Sequence, residues 1–166
     1  TPPVYDPVAC TVTMPEGFKA SYKALMDSGF WTLDLPKHMG GPGAPPSLRW
    51  AASELMLGAN PPAFMYMSGP GFAAILDHLG NEEQKKIAEI MIERQWGATM
   101  VLTEPQAGSD LGQIRTRAAP AGDHFRLFGQ KIFITWGEHD FTSNIIHMVL
   151  ARIDGAPSGT QGISLF

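Results

Sequence analysis

The chain has 166 residues, enough to bury a core in one ordinary domain or in two small ones. Apolar residues make up 44% of it and charged residues 17%, a balance typical of a globular protein and not of a disordered chain. The net charge is −4 and the basic residues are scattered, so the sequence carries no footprint of nucleic-acid binding.

The front of the chain has the residue spacing of helices. After an extended start over 1–14, apolar residues recur at helical spacing as far as Gly29, a residue type that commonly ends helices. The proline- and glycine-rich stretch 36–46 cannot continue a helix and is predicted to be a loop. A second helix is predicted over 48–56, with Ser47 as its N-cap.

Residues 61–79 carry almost no charge, which predicts a buried pair of helices broken around Gly69-Pro70-Gly71. Asn81, followed three residues later by Gln84, predicts a capping box at the start of another helix. The apolar stripe of that helix is predicted at Ile87, Ile90 and Met91.

After Arg94 the pattern changes, because apolar residues alternate over 96–103 as they do in strands. Further strands are predicted at 114–119, 124–128, 131–136, 145–152 and 162–166. The residues Ala121-Gly122-Asp123 form a suitable hairpin connection between two of them. The sequence thus predicts an α+β organisation, with a helical domain at 1–95 and a β-domain at 96–166.

Composition also limits the kinds of site and compartment. Cys10 is the single cysteine, which excludes an internal disulfide and favours a reducing, cytoplasmic location. The five histidines lack the spacing of metal ligands, so no metal site is predicted. No apolar run approaches the roughly 18–20 residues of a membrane helix, and we predict no membrane span.

The chemistry is expected in the second half of the chain. The stretch from Thr103 to Asp110 is a strand end that runs into a loop able to present backbone N–H groups and hydroxyls to a ligand. If 131–136 is a strand, Phe133 and Thr135 lie on one face of it. A ring beside a hydroxyl suits a flat ligand with polar edges, although the same residues also suit an ordinary turn and core.

Two motifs decide between these readings, because they resemble the signatures of acyl-CoA dehydrogenases. The first is Leu102-Thr103-Glu104-Pro105 with Ala107-Gly108-Ser109-Asp110, and the second is Gly129-Gln130-Lys131 with Ile134-Thr135. Two further segments of the family agree in order, at 36–43 and 79–85. The chain is therefore identified as a member of this family.

The resemblance implies a helical N-terminal domain followed by an antiparallel, β-barrel-like middle domain, with no counterpart here of the family's C-terminal helical domain. It also implies FAD as cofactor and an acyl-CoA thioester as substrate. Ser109 would touch the pantetheine arm of the substrate. The cofactor-binding residues would be Met100, Leu102, Thr103, Gly108, Ser109, Phe133, Ile134 and Thr135.

In this family a glutamate removes the α-proton of the acyl chain while the β-hydrogen leaves as hydride to the flavin. Electrons then pass to an electron-transfer flavoprotein. Glu104 matches a signature position and not that base, so no catalytic residue is predicted in this chain. We therefore expect the chain alone to be inactive and to bind FAD weakly, and to form a homo-oligomer through its apolar surface.

Two alternatives to a dehydrogenase stay open at this stage. An acyl-CoA oxidase or a related flavin monooxygenase would share the architecture. A non-catalytic remnant or a subunit from a split gene would explain the missing base. Within the dehydrogenases, Trp136-Gly137-Glu138-His139-Asp140 resembles a subgroup that includes 3-methylmercaptopropionyl-CoA dehydrogenases.

Overall fold

The structure, a computed structural model, describes residues 1–166 and divides into two compact units. The first unit consists of Thr1–Ala98 and Glu138–Ile146, and the second of Thr99–Gly137 and His147–Phe166. The sequence places its boundary at 95, three residues before the first change of unit. It does not indicate that residues 138–146 belong to the first unit.

The first unit is mainly helical. It starts with a short antiparallel pair, β1 (Val4–Asp6) and β2 (Thr11–Thr13). Five α-helices follow: α1 (Glu16–Asp27), α2 (Pro46–Ala59), α3 (Pro61–Tyr66), α4 (Gly69–Leu79) and α5 (Glu82–Glu93). None of the helices combines the length and the apolar character that crossing a membrane requires.

Proline sets two of the helix starts differently from the prediction. Helix α2 begins at Pro46, and no side chain caps it, so Ser47 is not its N-cap. A proline in the first turn has its φ already in the helical range and lacks an N–H that would need a partner. The predicted pair of helices over 61–79 forms as α3 and α4; the break between them falls at Met67 and Ser68, and Gly69-Pro70-Gly71 opens α4.

The predicted capping box of α5 is confirmed. The Asn81 side-chain oxygen accepts from the backbone N–H groups of Glu83 and Gln84, at 3.0 and 2.9 Å. The Gln84 side-chain oxygen accepts in return from the Asn81 N–H at 2.9 Å. Both ends of the motif are thus satisfied, which fixes where the helix begins.

The buried face of α5 agrees with the predicted stripe at Met91 but not at Ile87. Ala88 and Met91 are buried, whereas Ile87 is 36% exposed. These two residues form a core cluster with Ala73 of α4 and Ala98. The alanines allow the helices to approach closely around Met91, so small side chains are buried beside a large one.

The returning segment Glu138–Ile146 is held in the first unit by polar and aromatic contacts. The Asp140 carboxylate accepts from the Lys19 ammonium at 2.8 Å. The ring of Phe141 packs against Tyr66, with 4.6 Å between the ring centroids. These partners explain why the segment leaves the second unit although the sequence around it has the pattern of strands.

A five-stranded sheet dominates the second unit, although two of its strands, which start at Gly97 and Ile145, begin in the first unit. The strands are β3 (Gly97–Val101), β4 (Arg117–Ala121), β5 (His124–Phe128), β6 (Ile145–Ile153) and β7 (Ile163–Leu165). Their order is β3-β6-β4-β5, and β7 pairs with β6. The α+β class is thus confirmed, while the sheet is open and not closed into a barrel.

The sheet is mixed, which corrects the antiparallel prediction. Strands β4 and β5 form the predicted hairpin, in which Ala121 faces His124 and Gly122 adopts a φ of 77°. Strands β4 and β6, however, pair in parallel, with Arg117 opposite Arg152. A parallel pair needs a long connection, and the chain between β5 and β6 provides it.

The strand predicted at 131–136 does not form. Phe133 and Trp136 both have left-handed backbone angles, with φ of 57° and 61°, which a strand does not accommodate. The inference that Phe133 and Thr135 share one face of a strand is therefore wrong. Alternate residues share a face only where the backbone is extended.

Candidate functional site

The two motif segments lie side by side in the second unit. The first, here called the signature loop, comprises residues 100–110, and the second segment comprises 129–135. The Ile132 N–H donates to the Thr103 carbonyl oxygen at 3.0 Å. The Lys131 ammonium donates to the Leu102 carbonyl oxygen at 2.8 Å. Segments far apart in sequence are thus brought together through backbone oxygens of the signature loop.

Glu104 is the centre of the polar contacts in this region and is only 3% exposed. One carboxylate oxygen accepts from the Thr116 N–H, the Thr116 hydroxyl and the Lys131 ammonium. The other accepts from the Arg115 N–H and the Gln106 amide, each at 2.6 Å. Because this carboxylate occupies the N–H groups of Arg115 and Thr116, β4 starts at Arg117 and not at the predicted residue 114.

These contacts determine the ionisation of Glu104. Burial by itself would raise the pKa of the carboxyl group, because it disfavours the charged form. The hydrogen bonds from Thr116, Arg115 and Lys131 outweigh burial and lower the pKa from 4.5 to about 2. Glu104 is therefore a carboxylate at any physiological pH, and its lone pairs are already engaged.

The eight predicted cofactor-binding residues all belong to the second unit, and none of them is fully buried. Leu102, Thr103 and Ile134 are half-buried, and Met100 is 36% exposed. The remaining four are exposed: Gly108, Ser109, Phe133 and Thr135.

Phe133 is the most exposed of the aromatic residues in this unit. Its side chain is 88% exposed, and its left-handed backbone turns the chain directly after the bond between Ile132 and Thr103. Covering such a solvent-exposed aromatic ring with an apolar surface is energetically favourable. With hydroxyls nearby in sequence on both segments, this surface can bind a flat ligand with polar edges.

The residues that follow the signature loop are held by hydrogen bonds that the sequence does not predict. The Asp110 carboxylate accepts from the Gly112 N–H at 3.0 Å. The Arg152 guanidinium donates to the carbonyl oxygens of Gly112, Ile114 and Pro157, at 2.7, 3.2 and 2.8 Å. Arg152 lies on β6, far along the chain from Gly112 and Ile114, and no local pattern connects it with them.

A cavity of about 320 Å³ opens within the second unit. Its walls include Val101, Thr116, Lys131, Ile134, His147 and Val149. The His147 ring nitrogen lies 2.7 Å from the Thr99 hydroxyl oxygen. Of the eight candidate residues, Ile134 lines this cavity.

The chain was compared with known proteins. No family model matches it. It is 49% identical to the broad-specificity linear acyl-CoA dehydrogenase FadE5 of Mycobacterium tuberculosis, over 99% of this chain and 27% of that protein. It is 41% identical to the 3-methylmercaptopropionyl-CoA dehydrogenase of Ruegeria pomeroyi, over 93% of this chain and again 27% of the relative. The chain thus spans about a quarter of the length of these relatives.

A solved structure shares the fold of this chain. The butyryl-CoA dehydrogenase of Megasphaera elsdenii superposes with a TM-score of 0.73, covering 98% of this chain and 40% of that one. The two sequences are 24% identical in this alignment.

Proposed function

The chain belongs to the acyl-CoA dehydrogenase family, and we propose that it carries the flavin-facing wall of an FAD-dependent enzyme that introduces an α,β double bond into an acyl-CoA thioester. The observation that carries this proposal is the hydrogen bond between Ile132 and Thr103, which joins the two motif segments into one surface. The proposal assigns residues 1–95 to the helical domain and 96–166 to the flavin-facing β-domain.

The residues of this surface fit the cofactor that the family uses. The exposed ring of Phe133 would lie against the isoalloxazine, and stacking would contribute about 0.5–1.5 kcal/mol beyond burial. Met100, Leu102, Gly108 and Ile134 would line the ring edge. The hydroxyls of Thr103 and Thr135 would donate toward its polar atoms, each bond being worth about 1 kcal/mol.

A bound FAD supplies the hydride acceptor for the β-hydrogen of the substrate. The task of this chain is to orient the reactants. The exposed Ser109 hydroxyl would hold the pantetheine arm, and donors near the pyrimidine ring would stabilise the negative charge of the reduced state. In the whole enzyme the electrons would pass on to an electron-transfer flavoprotein.

Glu104 does not serve as the base that removes the α-proton. A general base needs a pKa near the working pH and a free lone pair directed at the substrate. Glu104 has neither, because five donors occupy its oxygens and the hydrogen bonds from Thr116, Arg115 and Lys131 outweigh burial and lower its pKa to about 2. We therefore propose that the base comes from outside these 166 residues and that this chain alone is inactive and holds FAD weakly.

The assembly and location of the enzyme are further parts of the proposal. Large apolar side chains are exposed on α2, among them Trp50 at 68% and Leu55 at 76%. Such a surface suits a contact between copies, so we propose a homo-oligomer. The single cysteine, Cys10, agrees with a cytoplasmic location.

The test is to express the intact gene and to titrate the purified protein with acyl-CoAs of different chain lengths under anaerobic conditions. Loss of the flavin absorption band, with formation of the enoyl-CoA, would support dehydrogenation and would rank the substrates. Rapid reoxidation in air with release of hydrogen peroxide would indicate an oxidase instead. A protein that binds no flavin would contradict the proposal and would favour a non-catalytic remnant or a split-gene subunit.

A further inference from the structure

A compact set of bonds holds the second segment to the signature loop. Lys131 donates to the Leu102 carbonyl and to the Glu104 carboxylate, at 2.8 and 2.9 Å, and the Ile132 N–H donates to the Thr103 carbonyl at 3.0 Å. Three consecutive residues of the signature loop are thus contacted by two consecutive residues of the second segment. Because the second segment is not a strand, these bonds take the place of a sheet ladder there.

The charged members of this set are withdrawn from water. The side chain of Glu104 is 3% exposed and that of Lys131 is 11% exposed. Buried ion pairs contribute little to net stability, because desolvation of both charges offsets their attraction. A pair of apolar side chains would stabilise the core at least as well. A geometric role explains the charged pair, because an ion pair with directed hydrogen bonds fixes atomic positions that apolar contacts leave adjustable.

We propose that the ion pair between Glu104 and Lys131 positions the backbone of the surface that would contact the flavin. Their ion pair sets the backbone of Thr103 relative to Phe133, which follows Lys131 by two residues. The Glu104 carboxylate ties the signature loop to Thr116 next to β4, and Lys131 ties the second segment to that carboxylate. This inference rests on the proposed function and adds the residues that hold the proposed flavin contacts in register.

The test uses the intact gene product with three single variants and one double variant. Glu104→Gln removes the negative charge, Lys131→Met removes the positive charge, and the double variant removes both. Asp154→Asn is the control, because it breaks an exposed ion pair of the same unit, between Arg117 and Asp154, with side chains 48% and 53% exposed. For each protein, FAD affinity is measured by fluorescence titration per folded molecule, and the flavin reduction potential is measured with reference dyes.

If the pair acts by position, Glu104→Gln and Lys131→Met each raise the FAD dissociation constant about tenfold, or about 1.4 kcal/mol. The FAD dissociation constant of the double variant is then no higher than that of the single variant that binds FAD more weakly, because both substitutions break the ion pair between Glu104 and Lys131. Asp154→Asn leaves affinity and potential unchanged.

Two results would overturn the inference. Opposite shifts of the reduction potential in the two single variants, without loss of affinity, would show that the charges act on the flavin directly. Unchanged affinity and potential, with lower stability alone, would show that the pair serves only the fold. Absence of flavin from the wild-type protein would instead contradict the proposed function, so the two failures are distinguishable.

Discussion

The backbone of Gly97 lies directly against the phenol ring of Tyr66. A Cβ atom at position 97 would overlap the Tyr66 hydroxyl oxygen and would lie 2.7 Å from Cε2 of the ring. The ring is 3% exposed, and its hydroxyl lies 3.0 Å from the Thr142 hydroxyl oxygen. Tyr66 therefore has little room to move away, and β3 starts with glycine because no larger residue fits there.

Gly97→Ala should lower the free energy of unfolding of the intact gene product by about 1–3 kcal/mol, the usual cost of overpacking. Urea denaturation followed by tryptophan fluorescence measures the change. Gly58→Ala is the matched control, because a Cβ at position 58 meets no atom within 4 Å. This substitution lies inside α2 and should stabilise the protein by about 0.5–1 kcal/mol, since alanine favours a helix over glycine. Equal effects of the two substitutions would contradict this account.

Asn81→Ala should destabilise the protein by about 1 kcal/mol, because it leaves two N–H groups at the start of α5 without their side-chain acceptor. Thermal unfolding and hydrogen exchange of the first turn of α5 both report the loss. Ser47→Ala is the control, since the structure shows no side-chain cap on α2. A loss of similar size in Ser47→Ala would mean that α2 starts at the residue predicted from the sequence.

Acid should unfold the protein partly through Glu104. Its pKa is about 2 in the folded state against an ordinary 4.5, so the unfolded state binds the proton more readily. The resulting stabilisation, about 3 kcal/mol, is complete above pH 4.5 and is lost as the pH falls toward 2.

The free energy of unfolding, measured by urea denaturation at pH 5.5 and at pH 3, tests this dependence. Glu104→Gln should lower stability at pH 5.5 and should flatten the change between the two values. Glu82→Gln removes an exposed carboxylate that pairs with Lys85 and serves as the control. A variant at position 104 with the wild-type slope would refute the assignment.

Phe133→Ala should leave stability nearly unchanged, because the side chain is 88% exposed in the structure. In the intact gene product it should weaken FAD binding about tenfold, since the proposed stacking contact is lost. Fluorescence titration of the flavin measures the affinity, and Phe30→Ala, which removes another exposed aromatic ring, is the control. Equal FAD affinity in the wild type and in Phe133→Ala would place the flavin elsewhere.

The sequence alone determined those features that depend on neighbours along the chain. The capping box of Asn81 and Gln84 and the hairpin at Gly122 use bonds that close within a few residues. The residue types in such motifs carry their own geometry, so the sequence is sufficient to predict them. The two signature motifs likewise predict the family from the sequence alone, and the comparisons confirm that membership.

Only the tertiary structure decided where distant residues meet. The alternation over 131–136 predicts a strand, yet side-chain bonds from Lys131 and left-handed angles at Phe133 replace it with a bent segment. Glu104 appears in the sequence as one letter of a motif, and its five donors come from four other residues, three of which lie outside the signature loop. The fold determines which donors lie near a buried carboxylate, and the local spacing of residues does not predict them.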